Sequence, residues 1–578
     1  MGSNPTPSAF ETSGYHPAVL STPAVPSPQD DVAGAGGAAG IVLLTLASAQ
    51  FLMTLDSAVM NVSIAQVAED VGTTVTGVQT AITLYTLVMA TMMITGGKIG
   101  SMIGRRKAFA IGCVIYGAGS LTTALAPNLT VLIIGWSVLE GLGAALIMPA
   151  IVALVASNFA PAGRPRAYGL VAAAGAIAVA AGPLIGGAVT TFWTWRLVFA
   201  GEVVIVIIIL ALSRRMQDVP PEARHRLDVV GVVLSALGLG LAVFGVLRSG
   251  EWGWVRPKPE GPEWLGLSPT IWLILVGSLL VWLFFVWEER MIAAGREPLV
   301  RPEILQHRQL KGGLTMFFFQ FLIQAGLFFV VPLFLSVALG LSALATGVRL
   351  LPLSITLFLA AVGIPKYRPQ AAPRRVVRWG LIFLFAGIAS LIGALEIGAS
   401  AEIVTIPMLL AGLGVGALAS QLGAVTVSGV PTEETGEVGG LQNTMTNLGA
   451  SLGTALAGSI LIAGLSAAFL GALAANPDVA PEVTAQAEVQ LAAGIPFVSD
   501  AQLETALADA GVPPAEAEAI IDANEEARIV ALRASLTVLA FVALCGLFFT
   551  HLIPTVPVGA SPPPVEAPRP GEDPVLSS

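Results

Sequence analysis

Asp56, Glu140 and Glu202 are carboxylates set inside long apolar runs, and the chemistry open to this chain starts with them. An ionised side chain at the centre of a bilayer costs about 3 kcal/mol or more unless it is paired or wet. No Lys or Arg lies deep in the first half of the chain to pair with them. A buried carboxyl of that kind favours its neutral form and can take up or release a proton as its surroundings change. These three residues are therefore the proton-coupling candidates.

Asp56 has polar and soft neighbours at helical spacing. Ser63 follows it seven residues on and shares its face, Met53 and Met60 lie alongside, and Gln50, Ser57 and Asn61 form a second polar row. Adaptable methionines between polar rows suit the wall of a cavity for an apolar, cationic compound. In the second half, Phe317, Gln320, Phe321 and Gln324 form an aromatic and amide stripe, and Gln442 and Asn443 begin a polar run near 442–447. Gln50, Met53, Asp56, Met60, Phe317, Gln320, Phe321, Gln324, Gln442 and Asn443 are the substrate-cavity candidates.

The elements that must position these residues are membrane helices. Hydrophobic residues make up 55% of the 578 and charged residues only 11%, and the mean hydropathy is +0.82. A helix of about 20 apolar residues spans a bilayer. The apolar runs predict spans at 39–65, 76–97, 108–126, 129–156, 165–190 and 195–213, then 227–248 and 269–288, then 312–337, 342–364, 377–396, 402–428, 438–470 and 528–553. The expected fold is an all-α integral membrane protein of 14 transmembrane helices: an N-terminal six-helix bundle over 39–213, two additional helices over 227–288, and a C-terminal six-helix bundle over 312–553. Paired six-helix halves are one of the large transporter architectures. Residues 1–38 and 559–578, rich in Pro, Ser, Gly and Ala, read as disordered tails. The long connection 471–527 is acidic and alanine-rich, with helical pieces near 501–510 and 515–526.

Basic residues cluster on alternate connections, among them Lys98, Arg105, Arg106, Lys107, Arg214, Arg215, Arg374 and Arg375. The positive-inside rule puts those connections in the cytoplasm. An even number of spans then places both termini there and the 471–527 loop outside, with the cytoplasmic membrane as the location. The two cysteines, Cys113 and Cys545, both fall in apolar runs, and no CxxC is present. There is no phosphate loop and no HExxH, so the chain is not read as an enzyme and neither a catalytic nor a metal set is assigned.

Several stretches resemble one family. Gly97-Lys98-Ile99-Gly100-Ser101-Met102-Ile103-Gly104-Arg105-Arg106-Lys107 is similar to the G-x-L-a-D-r-x-G-r-k loop of the major facilitator superfamily, with Ser101 where the family has Asp. Gly182-Pro183-Leu184-Ile185-Gly186-Gly187 is similar to its antiporter motif of the fifth helix. Leu55-Asp56 through Asn61 resembles a first-helix signature of the 14-helix drug:proton antiporter-2 branch. Gly135 to Ala145 resembles the fourth-helix motif, with Ser137 and Glu140 standing where the family has Arg and Gln. The resemblance implies gating roles for Gly97, Gly100, Ser101, Gly104, Arg105 and Arg106, and for Gly182, Pro183, Gly186 and Gly187. It also implies a monomer.

The function expected from residues and resemblance together is secondary active transport: proton-coupled export of amphipathic or cationic drugs by alternating access. The expected partners are the lipid bilayer, a small-molecule substrate and protons, with no nucleic acid. No cofactor is expected, the proton gradient being the energy source. The alternatives are export of a lipid or endogenous metabolite, and a non-transporting membrane sensor.

Overall fold

The computed structural model describes residues 2, 30–159, 164–218, 227–258, 261–296, 298–368, 370–428, 435–475, 497–509 and 512–556. The expected tails over 3–29 and 559–578, the middle of the 471–527 loop and the acidic stretch 429–434 lie outside them.

Helices form wherever the apolar runs predicted them. The first six are α1 (Asp30–Val62), α2 (Val75–Ile103), α3 (Arg105–Ala124), α4, α5 (Arg164–Phe192) and α6 (Arg196–Ser213). In α4, Leu129–Leu132, a π-helical stretch Ile133–Glu140 and Gly141–Asn158 run on as one rod. Next come α7 (Val229–Trp252) and α8 (Pro269–Ala293). Then α9 (Arg308–Leu333, continued by a π-helical stretch Phe334–Ala338), α10 (Ala343–Tyr367), α11 (Pro373–Ala394), α12 (Thr405–Ser428), α13 (Thr435–Ala475) and α14 (Pro514–Phe549) complete the series. No strand is present among the described residues. Starts are set by side chains that take up free amide hydrogens: Thr74 accepts from Gly77 N, Asn128 from Val131 N and Ser342 from Ala345 N.

Twelve of the described helices are long and apolar enough to cross a membrane, and thirteen if α5, bent by 42° between Ala173–Val179 and Ala181–Phe192, is one span. The remaining position of the expected fourteen is α3, whose basic first turn and small polar residues leave it less apolar than the rest. Two boundaries differ most from expectation. Helix α1 begins at Asp30, so the last residues assigned to the tail are helical without having the hydropathy of a span. Helix α14 begins at Pro514 and takes in the piece expected near 515–526, because no proline interrupts it after its first position.

Six helices pack together on each side. Helix α1 lies on α5 and α6, α2 on α4, and α3 on α4 and α6; α9 lies on α12, α13 and α14, α10 on α12, and α11 on α12 and α14. The pair α7–α8 packs on itself, and α7 reaches α2 and α13. The two halves meet along two seams, α2 against α13 and α5 against α10. In the first, Gln79 donates to Thr454 O at 2.9 Å and Ser451 donates to Thr83 O at 3.2 Å. In the second, Ser354 donates to Val179 O at 3.2 Å.

Candidate functional site

The three carboxylates come from three helices and meet inside the N-terminal bundle. Asp56 of α1, Glu140 of α4 and Glu202 of α6 each place an oxygen so that all three lie within 4.8 Å of one another. Their exposures are 0%, 0% and 1%. Three negative charges so close in an apolar surround repel strongly, so protons, water or a cation must relieve them.

Each carboxylate has a neutral partner. The Trp136 indole N–H donates to both Asp56 oxygens, each at 2.9 Å. Thr123 Oγ1 lies 3.1 Å from Glu140 Oε1, and Ser120 Oγ lies 3.1 Å from Glu202 Oε2. Glu140 Oε2, Glu202 Oε1 and the hydroxyls of Tyr85 and Tyr116 are buried without a hydrogen-bond partner. Trp136 is itself held: it is buried and stacked on Tyr85, ring centroids 4.9 Å apart and 3° from parallel. Next to it Ser137 donates to Ala81 O at 2.7 Å.

Local sequence explains how α3 and α4 come close enough. A Cβ on Gly119 would stand 2.6 Å from Glu140 Cγ, and one on Gly143 would stand 2.6 Å from Tyr116 N. Glycine at both positions lets the two helices approach with the carboxylate between them. The π-helical stretch spans Trp136 and Glu140, and such stretches are frequent at functional sites.

Asp56 was expected on a cavity wall between the bundles. The structure instead turns it into the N-terminal bundle, toward α4. Seven-residue spacing defines a face but not the neighbour that the face meets. Ser63, expected beside it, bonds Thr190 of α5 at 2.7 Å. Met53 and Met60 are buried in the main apolar core, and half-buried Gln50 bonds Thr54 Oγ1 at 3.2 Å. On α9, Phe317 and Gln320 are buried, and the Phe317 and Phe321 rings stack at 6.4 Å. Gln320 Oε1 and Gln324 Oε1 have no partner. Gln442 is half-buried, and Asn443 Nδ2 donates to Gly439 O at 3.0 Å within α13. Helices α9 and α13 pack on each other, which brings these second-half residues into one region. None of them hydrogen-bonds to the carboxylate cluster.

The small-residue motif of α5 sits between α1 and α10. Gly182 lies against Ala58, a Cβ on Gly186 would stand 2.7 Å from Val59 Cγ2, and one on Gly187 would stand 2.9 Å from Leu344 Cα. Pro183 faces Gly347 across the seam.

The stretch 97–107, expected as a loop, is helical to Ile103 and again from Arg105, with Gly104 alone at the turn, and it is pinned differently from the resemblance. Ser101 donates to Lys98 O in its own helix at 2.8 Å. The acid comes from Asp218, after α6, whose Oδ1 accepts from Arg106 N at 3.0 Å. Gly104 has φ 102°, and a Cβ there would meet the Asp218 carboxylate at 3.0 Å. Arg105 donates to Gly97 O at 2.8 Å and Arg106 to Met216 O at 3.2 Å. Gly97 lies beside Pro149, and Gly100 beside the Arg105 side chain.

Sequence reasoning passed over Trp136, Tyr85, Tyr116, Ser120, Thr123 and Asp218. The chain has only 5 tyrosines, and two of them in mid-helix among apolar residues were a usable signal. Nothing local pointed to Asp218.

Two six-helix bundles joined by small-residue seams, with buried acids in one of them, define a multi-pass membrane transporter, not an enzyme. The chain belongs to the Major Facilitator Superfamily, whose sequence profile matches residues 46–454. It is 28% identical over 441 residues to the puromycin resistance protein pur8 of Streptomyces alboniger, covering 75% of this chain and 84% of that one. It is also 28% identical to a probable actinorhodin transporter of Streptomyces coelicolor, covering 73% of this chain and 72% of that one. A crystal structure of a bacterial homolog of the human lysosomal transporter Spinster superposes with a TM-score of 0.56 at 14% identity, over 89% of this chain and 98% of that one. At that identity the likeness shows the fold alone.

Proposed function

We propose that this transporter exports amphipathic or cationic drugs, driven by the inward movement of protons. The observation that carries the reading is the cluster of Asp56, Glu140 and Glu202, buried together with neutral partners only. The names of the relatives, a puromycin resistance protein and a probable actinorhodin transporter among them, support drug export as the direction and the substrate class.

The mechanism follows from where the acids sit. Helices α1 and α4 carry Asp56 and Glu140, and both also touch the C-terminal bundle, α1 at α9 and α10 and α4 at α13. A proton gained or lost in the cluster changes the charge between α1, α4 and α6. The packing of α1 and α4 against the other half responds. Protons and drug are then exchanged because each binds the two arrangements with different affinity. The glycines of α5 and the pinned junction of α2 and α3 are the gating elements, and the aromatic and amide residues of α9 and α13 offer a contact surface for the drug.

In this reading the protein acts as a monomer in the cytoplasmic membrane. Its basic connections and both termini face the cytoplasm, and it uses no cofactor.

The test is efflux from vesicles containing the purified protein, against a panel of cationic dyes, antibiotics and lipids. Efflux is measured with a proton gradient, with a sodium gradient and with none. Acceleration by the proton gradient alone is expected. Efflux indifferent to it overturns the coupling, and transport of lipids alone overturns the drug assignment.

A further inference from the structure

We infer that Trp136 divides the carboxylate cluster into one standing anion, Asp56, and two proton carriers, Glu140 and Glu202. The inference rests on the proton-coupled reading and assigns the roles within it.

The argument is a count of hydrogens. An indole nitrogen donates and never accepts. The Trp136 N–H is aimed at both Asp56 oxygens, at 2.9 Å and 2.9 Å, and a donor that cannot accept favours the charged form of the carboxyl it serves. The stacking on Tyr85 keeps the indole from turning away.

At the other two acids each donor is shared. A hydroxyl has one hydrogen and two lone pairs. Thr123 Oγ1 lies 2.9 Å from Gly119 O and 3.1 Å from Glu140 Oε1. Ser120 Oγ lies 3.2 Å from Tyr116 O and 3.1 Å from Glu202 Oε2. One hydrogen cannot serve both acceptors, so neither glutamate has a donor of its own. Glu140 Oε2 and Glu202 Oε1 are buried without a hydrogen-bond partner, and three charges within 4.8 Å of one another repel, so the protons that relieve the cluster are assigned to Glu140 and Glu202. Release of a proton from either leaves a carboxylate that its hydroxyl can turn to serve.

The titratable groups facing the cluster are Tyr85 of α2 and Tyr116 of α3, besides the three acids themselves. The described side chains of α5 add none. Among the described residues no Lys, Arg or His acts on the cluster. The two tyrosine hydroxyls are buried and face Asp56, so they are further donors within reach of the standing anion.

The experiment is infrared difference spectroscopy of the purified, lipid-reconstituted protein, reading the carbonyl stretch of protonated carboxyl groups. Wild type is compared with Asp56→Asn, Glu140→Gln, Glu202→Gln and Trp136→Phe, and the proton-to-substrate ratio is measured on the same preparations. Glu140→Gln and Glu202→Gln are each expected to remove one protonated-carboxyl band and to lower the transport ratio by one proton. Asp56→Asn is expected to remove none. Trp136→Phe keeps the stacked ring but loses the N–H, and is expected to add a band. Loss of a band in Asp56→Asn, or none in both Glu variants, overturns the assignment even if Trp136→Phe fails to fold. A wild type that moves substrate without protons overturns the coupled reading instead, and the band count is read independently of it.

Discussion

Glu202→Met separates a functional acid from a structural one. The methionine side chain is unbranched and close to glutamate in size, so it fills the same space between α3 and α6. The substitution removes Glu202 Oε1, a buried oxygen without a partner, and an unmet buried polar atom costs about 1–3 kcal/mol. It also removes the contact to Ser120, whose hydroxyl retains Tyr116 O at 3.2 Å, so no new orphan is created. Replacing buried charged groups with well-packed apolar ones is often neutral or stabilising, by about 1–4 kcal/mol. The variant is expected to be at least as stable as wild type, by about 1 kcal/mol or more, and to drive efflux with one proton fewer per substrate. The assay pairs unfolding of the detergent-solubilised protein by intrinsic fluorescence with dye efflux under a proton gradient. Destabilisation beyond about 2 kcal/mol, the range in which breaking a needed buried contact falls, would show that Glu202 holds helices together and would refute the reasoning.

Other expectations follow from the same geometry. Asp218→Ala takes the acceptor from Arg106 N, which should cost about 0.5–2 kcal/mol as a lost helix cap and slow transport; hydrogen exchange at the Arg106 amide should rise, and Asp218→Asn should restore most of the protection. Gln79→Leu breaks the bond to Thr454 O across the α2–α13 seam, so spin labels on α2 and α13 should show a broader distance distribution while each bundle stays folded. Gly187→Leu places a side chain where a Cβ already stands 2.9 Å from Leu344 Cα; overpacking of that kind costs about 1–3 kcal/mol, and cross-linking between α5 and α10 should fall with transport.

Much of the fold was readable because hydropathy is a property of short windows. Helices stand at all fourteen predicted positions. The boundaries that moved, Asp30 for α1 and Pro514 for α14, lie where a helix continues beyond its apolar part. Hydropathy is silent there. Asp56, Glu140 and Glu202 could each be picked out because a carboxylate in an apolar run is anomalous whatever surrounds it. Trp136 and Tyr85 could not, since aromatic residues are ordinary in such runs.

From residue order alone came the kind of protein, the places of its helices and the three acids worth watching. Only the assembled bundle decided that those acids face one another instead of a chamber between the halves, that Trp136 claims Asp56, and that Asp218 supplies the acid missing at position 101. The reason is rotational. A helix carries its own periodic face in its residue order, but the azimuth at which that face meets a neighbour is set by many small contacts, such as Gly119 against Glu140, between segments far apart in the chain.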